Sequence, residues 1–118
     1  MKKIYYLSTC STCKKIMTDL NINKANGFEL QDIKTQKISK EQLQEMARLA
    51  GSYEALFSRR ALKYKELKLK EHALTEKDYQ AYILEEYTFL KRPVIIHQDN
   101  IYIGTDKKNL ELLSQALS

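Results

Sequence analysis

The chain has few of the residues from which disulfide frameworks, flexible linkers and membrane spans are built. Among its 118 residues are two cysteines, one proline and three glycines. Both cysteines belong to one CxxC motif, so none remains for a disulfide framework of the kind found in oxidising compartments. No apolar run approaches the roughly 20 residues of a membrane span, and the start MKKIYYL is too short for a secretory signal. We therefore expect a cytoplasmic protein that does not contact membranes.

The composition predicts one globular domain over residues 1–118. Apolar residues make up 43% of the chain, which is long enough for one hydrophobic core and too short for two. There is no internal repeat, low-complexity tract or linker rich in proline and glycine. The net charge is +5, but basic and acidic residues alternate along most of the chain and form no long basic block. We expect no direct binding to nucleic acid, and a monomer is the simplest assembly.

The two cysteines stand at a predicted junction between a strand and a helix. Cys10 and Cys13 follow the apolar run Ile4–Leu7 and precede a helical pattern that continues through Ile16. Cysteines three positions apart in a first helical turn have Cα atoms about 5 to 6 Å apart, the span of a disulfide. The free amides and partial positive charge of a helix N-terminus favour a thiolate. We therefore predict that Cys10 is a nucleophile and that Cys13 resolves its adducts.

The hydrophobic pattern predicts an α/β protein with the order βαβ, a helical middle, then ββα. The predicted elements are a strand over Lys3–Leu7, a helix over about Ser11–Asn21, a strand over Phe28–Ile33, strands over Val94–His97 and Ile101–Ile103, and a closing helix capped by Asp106. The predicted core comprises residues 1–37 and 89–118. The helical insertion, residues 38–88, separates the second and third strands.

Within the helical middle, two sequence patterns predict the N-terminus of a helix. Ser39 with Gln42 three residues later predicts a capping box, and the helix that follows should stop at Gly51. Thr75 gives the second start signal. The stretch between these helices, residues 54–69, predicts one or two short helices that carry Arg59 and Arg60.

The only proline, Pro93, immediately precedes the Val94 strand, where its missing N–H is tolerated. A βαβ…ββα order with CxxC on the first helix resembles the thioredoxin fold. In that fold a cis-proline before the third strand faces the dithiol. The resemblance therefore implies a cis peptide bond between Arg92 and Pro93.

Four segments occur in the order of one family: CSTCKK, LFSRRALKYKEL, FLKRPVII and IYIGTD. With them, nearly the whole chain resembles the arsenate reductase and Spx-type family. The resemblance implies a nucleophilic cysteine at Cys10 and anion-holding arginines at Arg60 and Arg92. Ser11, Thr12 and Pro93 are the other residues expected to bind substrate. The resemblance implies no bound cofactor, a small oxyanion or glutathione as ligand, glutathione or another thiol as co-substrate, and glutaredoxin or thioredoxin as reductant.

Arginine suits such a site for physical reasons that do not depend on the family. A guanidinium group stays charged and presents a planar fork of donors that matches arsenate, sulfate or the carboxylates of a glutathionyl group. Close to Cys10 it would also lower the pKa of the thiol. The alternative is that Arg92 is an exposed charge beside a buried strand and that Arg60 is a charge on a helix surface.

Three positions differ from the glutaredoxin-dependent arsenate reductases. Thr105 stands where those enzymes carry a third arginine, Ser58 replaces an asparagine, and Cys13 supplies a second cysteine that they commonly lack. A dithiol that closes on itself suits a self-resolving thiol oxidoreductase or a redox sensor. Our first hypothesis is the enzyme. The alternative is an Spx-type regulator that binds RNA polymerase, for which Gly51 lies at a matching distance before Arg60.

We expect no metal site. Cys10 and Cys13 could be joined only by His72 and His97, which lie 25 positions apart. In structural zinc motifs of this size the two histidines are usually about 3 to 5 positions apart.

Overall fold

The computed structural model describes residues 1–118 as a four-stranded sheet with five α-helices. The strands are β1 (Lys2–Tyr6), β2 (Glu29–Asp32), β3 (Val94–His97) and β4 (Asn100–Ile103), and the helices are α1 (Ser11–Asp19), α2 (Lys40–Ala50), α3 (Leu62–Glu66), α4 (Glu76–Glu85) and α5 (Lys107–Leu117). Short 3₁₀ turns cover Lys24–Asn26, Glu54–Leu56, Leu69–Glu71 and Tyr87–Phe89. The chain forms two compact units: Met1–Lys37 with Arg92–Ser118, and Ile38–Lys91. No helix is long and apolar enough to cross a membrane.

The sheet lies in the first unit and has the strand order β2-β1-β3-β4. Strand β1 is parallel to β2 and antiparallel to β3, which pairs with β4 as an antiparallel hairpin. Tyr6 lies opposite Asp32, and Tyr5 lies opposite Val94. The α/β class and the βαβ…ββα order predicted from the sequence are confirmed.

Side chains from sheet and helices form the core of the first unit. Ile4 of β1 and Ile95 of β3 cluster with Ile16 of α1 and Leu113 of α5. Leu110 and Leu117 flank Leu113 on the same helix, as the apolar stripe of α5 requires. Because Ile16 lies in this core, α1 is held against the sheet by its own buried side.

The second unit is built around aromatic rings. Phe57 stacks on Phe89 with centroids 5.0 Å apart and contacts Tyr79 at 4.9 Å. Tyr82 packs on Phe89 at 5.5 Å. An isolated antiparallel bridge joins Phe57 to Leu90, so the middle of the unit is held to its last residues by backbone as well as by rings.

Both predicted N-terminal signals are capping boxes. The Ser39 hydroxyl accepts the Gln42 amide at 3.0 Å, and the Gln42 side chain accepts the Ser39 amide at 3.0 Å. Thr75 and Asp78 form the same pair of hydrogen bonds at the start of α4. Gly51 ends α2 with φ at 95°, a left-handed conformation that glycine adopts without steric cost. This conformation is sufficient reason for a glycine at position 51.

The strand bounds differ from the prediction by one residue at some ends, and two helical segments differ in ways that have a physical reason. Helix α1 ends at Asp19 instead of Asn21, because Asn21 adopts a positive φ of 54° and cannot continue a right-handed helix. The stretch 54–69 contains only one short α-helix, α3, between two 3₁₀ turns. Lys68 takes a φ of 53° at the second of these turns, which interrupts the helical path.

Adjacent leucines in α5 offer a matched test of this packing. Leu113 is 0% exposed, whereas Leu112 is 50% exposed. We expect Leu113→Ala to lower the free energy of unfolding by about 2 to 5 kcal/mol, because it removes buried methyl groups and leaves a cavity. Leu112→Ala should change it by about 0.5 kcal/mol or less. Urea unfolding of both variants checks the prediction, and equal losses would contradict the assigned core.

Candidate active site

The two cysteines stand beside the end of the sheet at which β1 leaves and β3 enters. Because Tyr5 pairs with Val94 in antiparallel register, the residues after β1 and those before β3 lie at this same end. The peptide bond between Arg92 and Pro93 is cis, as the thioredoxin-fold resemblance implied. Gly104, just after β4, donates its amide to the Pro93 carbonyl at 2.9 Å. Strand pairing thus brings the CxxC motif and the Arg92–Pro93 bond to the same end of the sheet.

A tight turn delivers Cys10 to the N-terminus of α1. The Cys10 amide donates to the Leu7 carbonyl at 2.9 Å, closing a turn over residues 7–10. Cys10 has the extended backbone of an N-cap, with φ −94° and ψ 109°, and its carbonyl accepts the Lys14 amide at 3.2 Å. Cys10 therefore lies one residue before the helix and Cys13 lies within its first turn. No acidic side chain occurs in that turn to oppose a thiolate.

The pKa of the Cys10 thiol lies below its ordinary value of 9.0. Partial burial raises this pKa, but four other interactions together outweigh it. The Cys13 and Thr12 backbone amides, the Cys13 thiol and the Arg92 charge each lower the pKa, because they stabilise the sulfur anion. Together they favour the thiolate of Cys10 over its thiol.

Cys13 has the opposite properties. It is fully buried, and burial is the main reason that its pKa rises to about 11. The hydrogen bond to Cys10 and the Cys10 charge raise this pKa further, while the Leu7 backbone and Arg92 act against them. Neither cysteine is part of a disulfide, and the pKa is lowered at Cys10 and raised at Cys13, so Cys10 is the more readily ionised of the two thiols.

The other predicted substrate-binding residues occupy different environments. Ser11 and Thr12 are exposed in the first turn of α1, and Pro93 is buried beside the start of β3. Arg92 is partly buried, with its Nε atom inside the protein, and belongs to the same unit as both cysteines. Arg92 is therefore not a fully exposed charge, and its role in binding an anion stays a prediction.

Arg60 belongs to the second unit, where it is exposed in a turn. Its amide donates to the Ser58 hydroxyl at 3.3 Å, and it forms no ion pair. Arg59 next to it is engaged structurally, since it pairs with Glu54 at 2.9 Å and donates to the Tyr79 hydroxyl at 3.0 Å. Of the two arginines, Arg60 is the one left for a ligand, and its role at the anion site stays a prediction.

Asp32 is a polar residue of this region that the sequence interpretation missed. It ends β2 opposite Tyr6, and its Oδ1 accepts the Ser8 amide at 3.3 Å and the Lys34 amide at 3.2 Å. A signal was present, because the carboxyl ends of parallel strands align and a polar residue there lies beside the segment that follows β1. The predicted strand Phe28–Ile33 includes Asp32 in its interior and predicts no role for it.

No group of three or more His, Cys, Asp or Glu side chains is arranged to hold a metal ion. His72 is exposed outside the helices, and His97 ends β3 opposite Lys2 and Asn100.

The contribution of Arg92 to the thiolate can be tested directly. We expect Arg92→Gln to raise the pKa of Cys10, because it removes a positive charge that favours the anion. Alkylation of Cys10 by iodoacetamide at neutral pH, followed by peptide mass spectrometry, should then be about threefold slower. Lys91→Gln removes an exposed charge one residue away and is the control. Equal rates for both variants would exclude the assigned interaction.

Comparison with known proteins gives a consistent family and fold. A model of the ArsC family matches residues 5–112. A search of curated protein sequences found no significant match. The structure is similar to the YFFB protein, with a TM-score of 0.80 at 19% identity over 100% of both chains.

Two further solved structures have the same architecture. The arsenate reductase from Vibrio cholerae gives a TM-score of 0.76 at 19% identity over 95% of this chain and 94% of that one. An arsenate reductase (ArsC) related protein from Brucella melitensis gives 0.69 at 20% identity over 94% and 92%. At these identities the likeness concerns the fold, and it confirms the predicted α/β, thioredoxin-like architecture.

Proposed function

Because the chain belongs to the ArsC family, we propose that it is an arsenate reductase-like thiol oxidoreductase that uses Cys10 as its nucleophile. Its substrate is a small oxyanion such as arsenate or the mixed disulfide of glutathione. The observation that carries the proposal is the Cys10 sulfur at the N-cap of α1, where two backbone amides and Arg92 favour its anion. A thiolate is the form of cysteine that attacks arsenic or sulfur.

The first step forms a covalent adduct on Cys10. With arsenate, the Cys10 sulfur bonds to As(V) and one As–O bond breaks, the oxygen leaving as water after protonation. With a glutathione mixed disulfide, the Cys10 sulfur attacks the disulfide, and the displaced thiolate leaves with the bonding electron pair. In both cases the negative charge leaves the Cys10 sulfur. Arg92 then remains available to the anionic group bound there.

The second step uses Cys13. Its high pKa depends partly on the hydrogen bond to Cys10 and on the Cys10 charge, and both are lost once the adduct forms. Cys13 is thereby easier to deprotonate at the moment when its thiolate is needed. It attacks the Cys10 sulfur and an S–S bond forms, while the bond from that sulfur to arsenic or to the glutathionyl sulfur breaks and arsenite or glutathione leaves with the electron pair. Two thiols are oxidised. With arsenate, arsenic passes from As(V) to As(III), and with the mixed disulfide, its S–S bond is reduced to two thiols.

The resulting disulfide needs two electrons from outside the chain for another cycle. Glutaredoxin, thioredoxin or glutathione itself can supply them by thiol–disulfide exchange at Cys10. Cys10 is the accessible sulfur, since it is partly exposed and Cys13 is not.

Turnover assays test the proposal. Purified reduced protein is incubated separately with arsenate, a glutathionylated peptide and a small disulfide, each with glutathione and with either glutaredoxin or thioredoxin. Thiol-dependent consumption of at least one substrate, with activity rising with pH through the lowered pKa of Cys10, is expected. Absence of turnover with all three would reject the enzyme.

The regulator hypothesis predicts a different result. It requires no turnover, and binding to RNA polymerase that changes with the oxidation state of Cys10 and Cys13. The left-handed conformation of Gly51 already accounts for the glycine that this hypothesis used. A polymerase pull-down with reduced and oxidised protein, run beside the turnover assays, therefore separates the two functions.

A further inference from the structure

Asp32 joins the end of β2 to the turn that precedes Cys10. Its Oδ1 atom accepts the amide of Ser8 at 3.3 Å, and the Ser8 side chain also hydrogen-bonds to the carboxylate. The same Oδ1 atom accepts the Lys34 amide, and the Asp32 carbonyl accepts the amides of Thr35 and Gln36. The residue thus links the loop after β2 to the loop after β1.

The Ser8 contact acts on the turn that places the nucleophile. Ser8 is the second residue of the turn over residues 7–10, which the Cys10 amide closes on the Leu7 carbonyl. This turn sets where the Cys10 sulfur lies relative to the Thr12 and Cys13 amides at the start of α1. Within the turn one backbone hydrogen bond is present, and Asp32 supplies a second restraint from a neighbouring strand.

We propose that Asp32 is a positioning residue for Cys10, which holds the turn over residues 7–10 so that the sulfur stays beside the helix amides. The proposal rests on the assignment of Cys10 as the reactive thiolate, and it adds a residue that does not touch the substrate. Asp32 acts through Ser8 and not through its own charge.

The state of the Asp32 carboxyl agrees with this role. Partial burial raises its pKa, but the hydrogen bonds from Ser8 and Lys34 and the Lys34 charge lower it below the ordinary value of 3.8. Asp32 is therefore a carboxylate acceptor throughout the neutral range. Hydrogen bonds to an ionised acceptor are about twice as strong as those between neutral groups.

A positioning role and a through-space effect of the Asp32 charge predict changes of opposite sign in the Cys10 pKa when the carboxylate is removed. A negative charge near Cys10 disfavours its thiolate, so if charge alone mattered, removing the carboxylate would lower the Cys10 pKa. If Asp32 positions the turn, its removal lets the sulfur move away from the amides, and the Cys10 pKa rises. The direction of the change therefore distinguishes the two effects.

The experiment measures the alkylation rate of Cys10 by iodoacetamide against pH, with peptide mass spectrometry, in the reduced full-length protein. We expect Asp32→Ala to raise the Cys10 pKa by about 0.5 to 1 and to slow alkylation at pH 6 by about 3- to 10-fold. Asp32→Asn keeps an acceptor oxygen and should stay within about twofold of the parent rate. Asp99→Ala, an exposed aspartate in the β3–β4 turn, is the matched control.

A second variant, Ser8→Pro, restrains the turn over residues 7–10 without the Asp32 hydrogen bond. Proline is favoured at the second position of such turns because its ring fixes φ, and it has no amide to donate. In a Ser8→Pro background the Asp32 restraint on that amide no longer exists. We therefore expect Asp32→Ala to slow alkylation less than twofold in this background, giving a non-additive double-mutant cycle.

Each outcome decides the proposal. Slower alkylation in Asp32→Ala that is recovered in the Ser8→Pro background supports positioning. A lowered or unchanged Cys10 pKa in Asp32→Ala overturns it. Slow alkylation in both backgrounds also overturns it, since the effect would then not pass through the Ser8 amide. Absence of fast alkylation in the parent protein would instead count against the proposed function. Protection of buried Cys13 from the reagent confirms that each variant is folded.

Discussion

Substituting serine for Cys10 is expected to reduce thiol-dependent turnover by about four orders of magnitude or more, because no other accessible sulfur can form the adduct. A serine hydroxyl at the same N-cap stays protonated at neutral pH and attacks neither As(V) nor a disulfide. Cys13 cannot replace Cys10, since its thiol is fully buried and its pKa is raised to about 11. The rate of arsenite formation, or of peptide deglutathionylation, measures the effect.

The fold should tolerate this substitution well. Serine is a preferred N-cap residue, and its oxygen can accept an amide of the first turn, so the variant should be as stable as the parent. Urea unfolding of Cys10→Ser provides that control. Activity within tenfold of the parent protein would refute Cys10 as the nucleophile, whereas lost activity with lost stability would require Cys10→Ala as a second test.

Substituting alanine for Cys13 is expected to stop the cycle after its first step. With a glutathionylated peptide, the variant should accumulate the Cys10 adduct to near one equivalent, because no internal thiol remains to displace it. The parent protein should release its adduct and form the Cys10–Cys13 disulfide instead. Intact-mass spectrometry distinguishes the two species by the mass of the bound group.

The same variant also tests the pKa assignment. The Cys13 thiol hydrogen-bonds to the Cys10 sulfur and lowers its pKa, so Cys13→Ala should raise the Cys10 pKa modestly. Adduct formation should therefore be measured against pH in both proteins and compared at the plateau that each reaches when Cys10 is fully ionised. Alanine is preferred to serine because Cys13 is fully buried and an unpaired hydroxyl there would cost stability. Release of the adduct as fast as in the parent protein would exclude Cys13 as the resolving thiol.

Much of the fold could be predicted because it depends on interactions between residues that are close in sequence. The Ser39 and Thr75 capping boxes and the Asp106 cap each depend on residues within three positions. The order of strands and helices along the chain also followed from the pattern, since a CxxC at a strand-to-helix junction and a single proline before a β-rich run belong to one known topology. Cys10 and Arg92 were predicted as site residues from the same resemblance, and their catalytic roles stay predictions.

The rest depended on contacts between distant parts of the chain. Asp32 contacts the Cys10 turn only because β2 lies beside β1 in parallel register, which places residue 32 beside residue 8. No residue pattern near Asp32 indicates this contact, which can be expected only once the parallel pairing of the two strands is known. The end of α1 was also missed, because Asn21 is compatible with both a helix and a positive φ, and tertiary packing chose the latter. The resemblance favoured Arg60 over Arg59, whereas the hydrogen bond from Arg59 to the hydroxyl of Tyr79, twenty positions away, is visible only in the structure.

The complete burial of Cys13 has a consequence for damage by peroxide. An oxidant in solution reaches Cys10 first, and the sulfenic acid formed there lies in contact with a second sulfur that solvent does not reach. We expect this sulfur to condense with it, expelling water, before another peroxide molecule can drive the group to the irreversible sulfinic acid. The buried Cys13 thiol would thus keep the oxidation of Cys10 reversible.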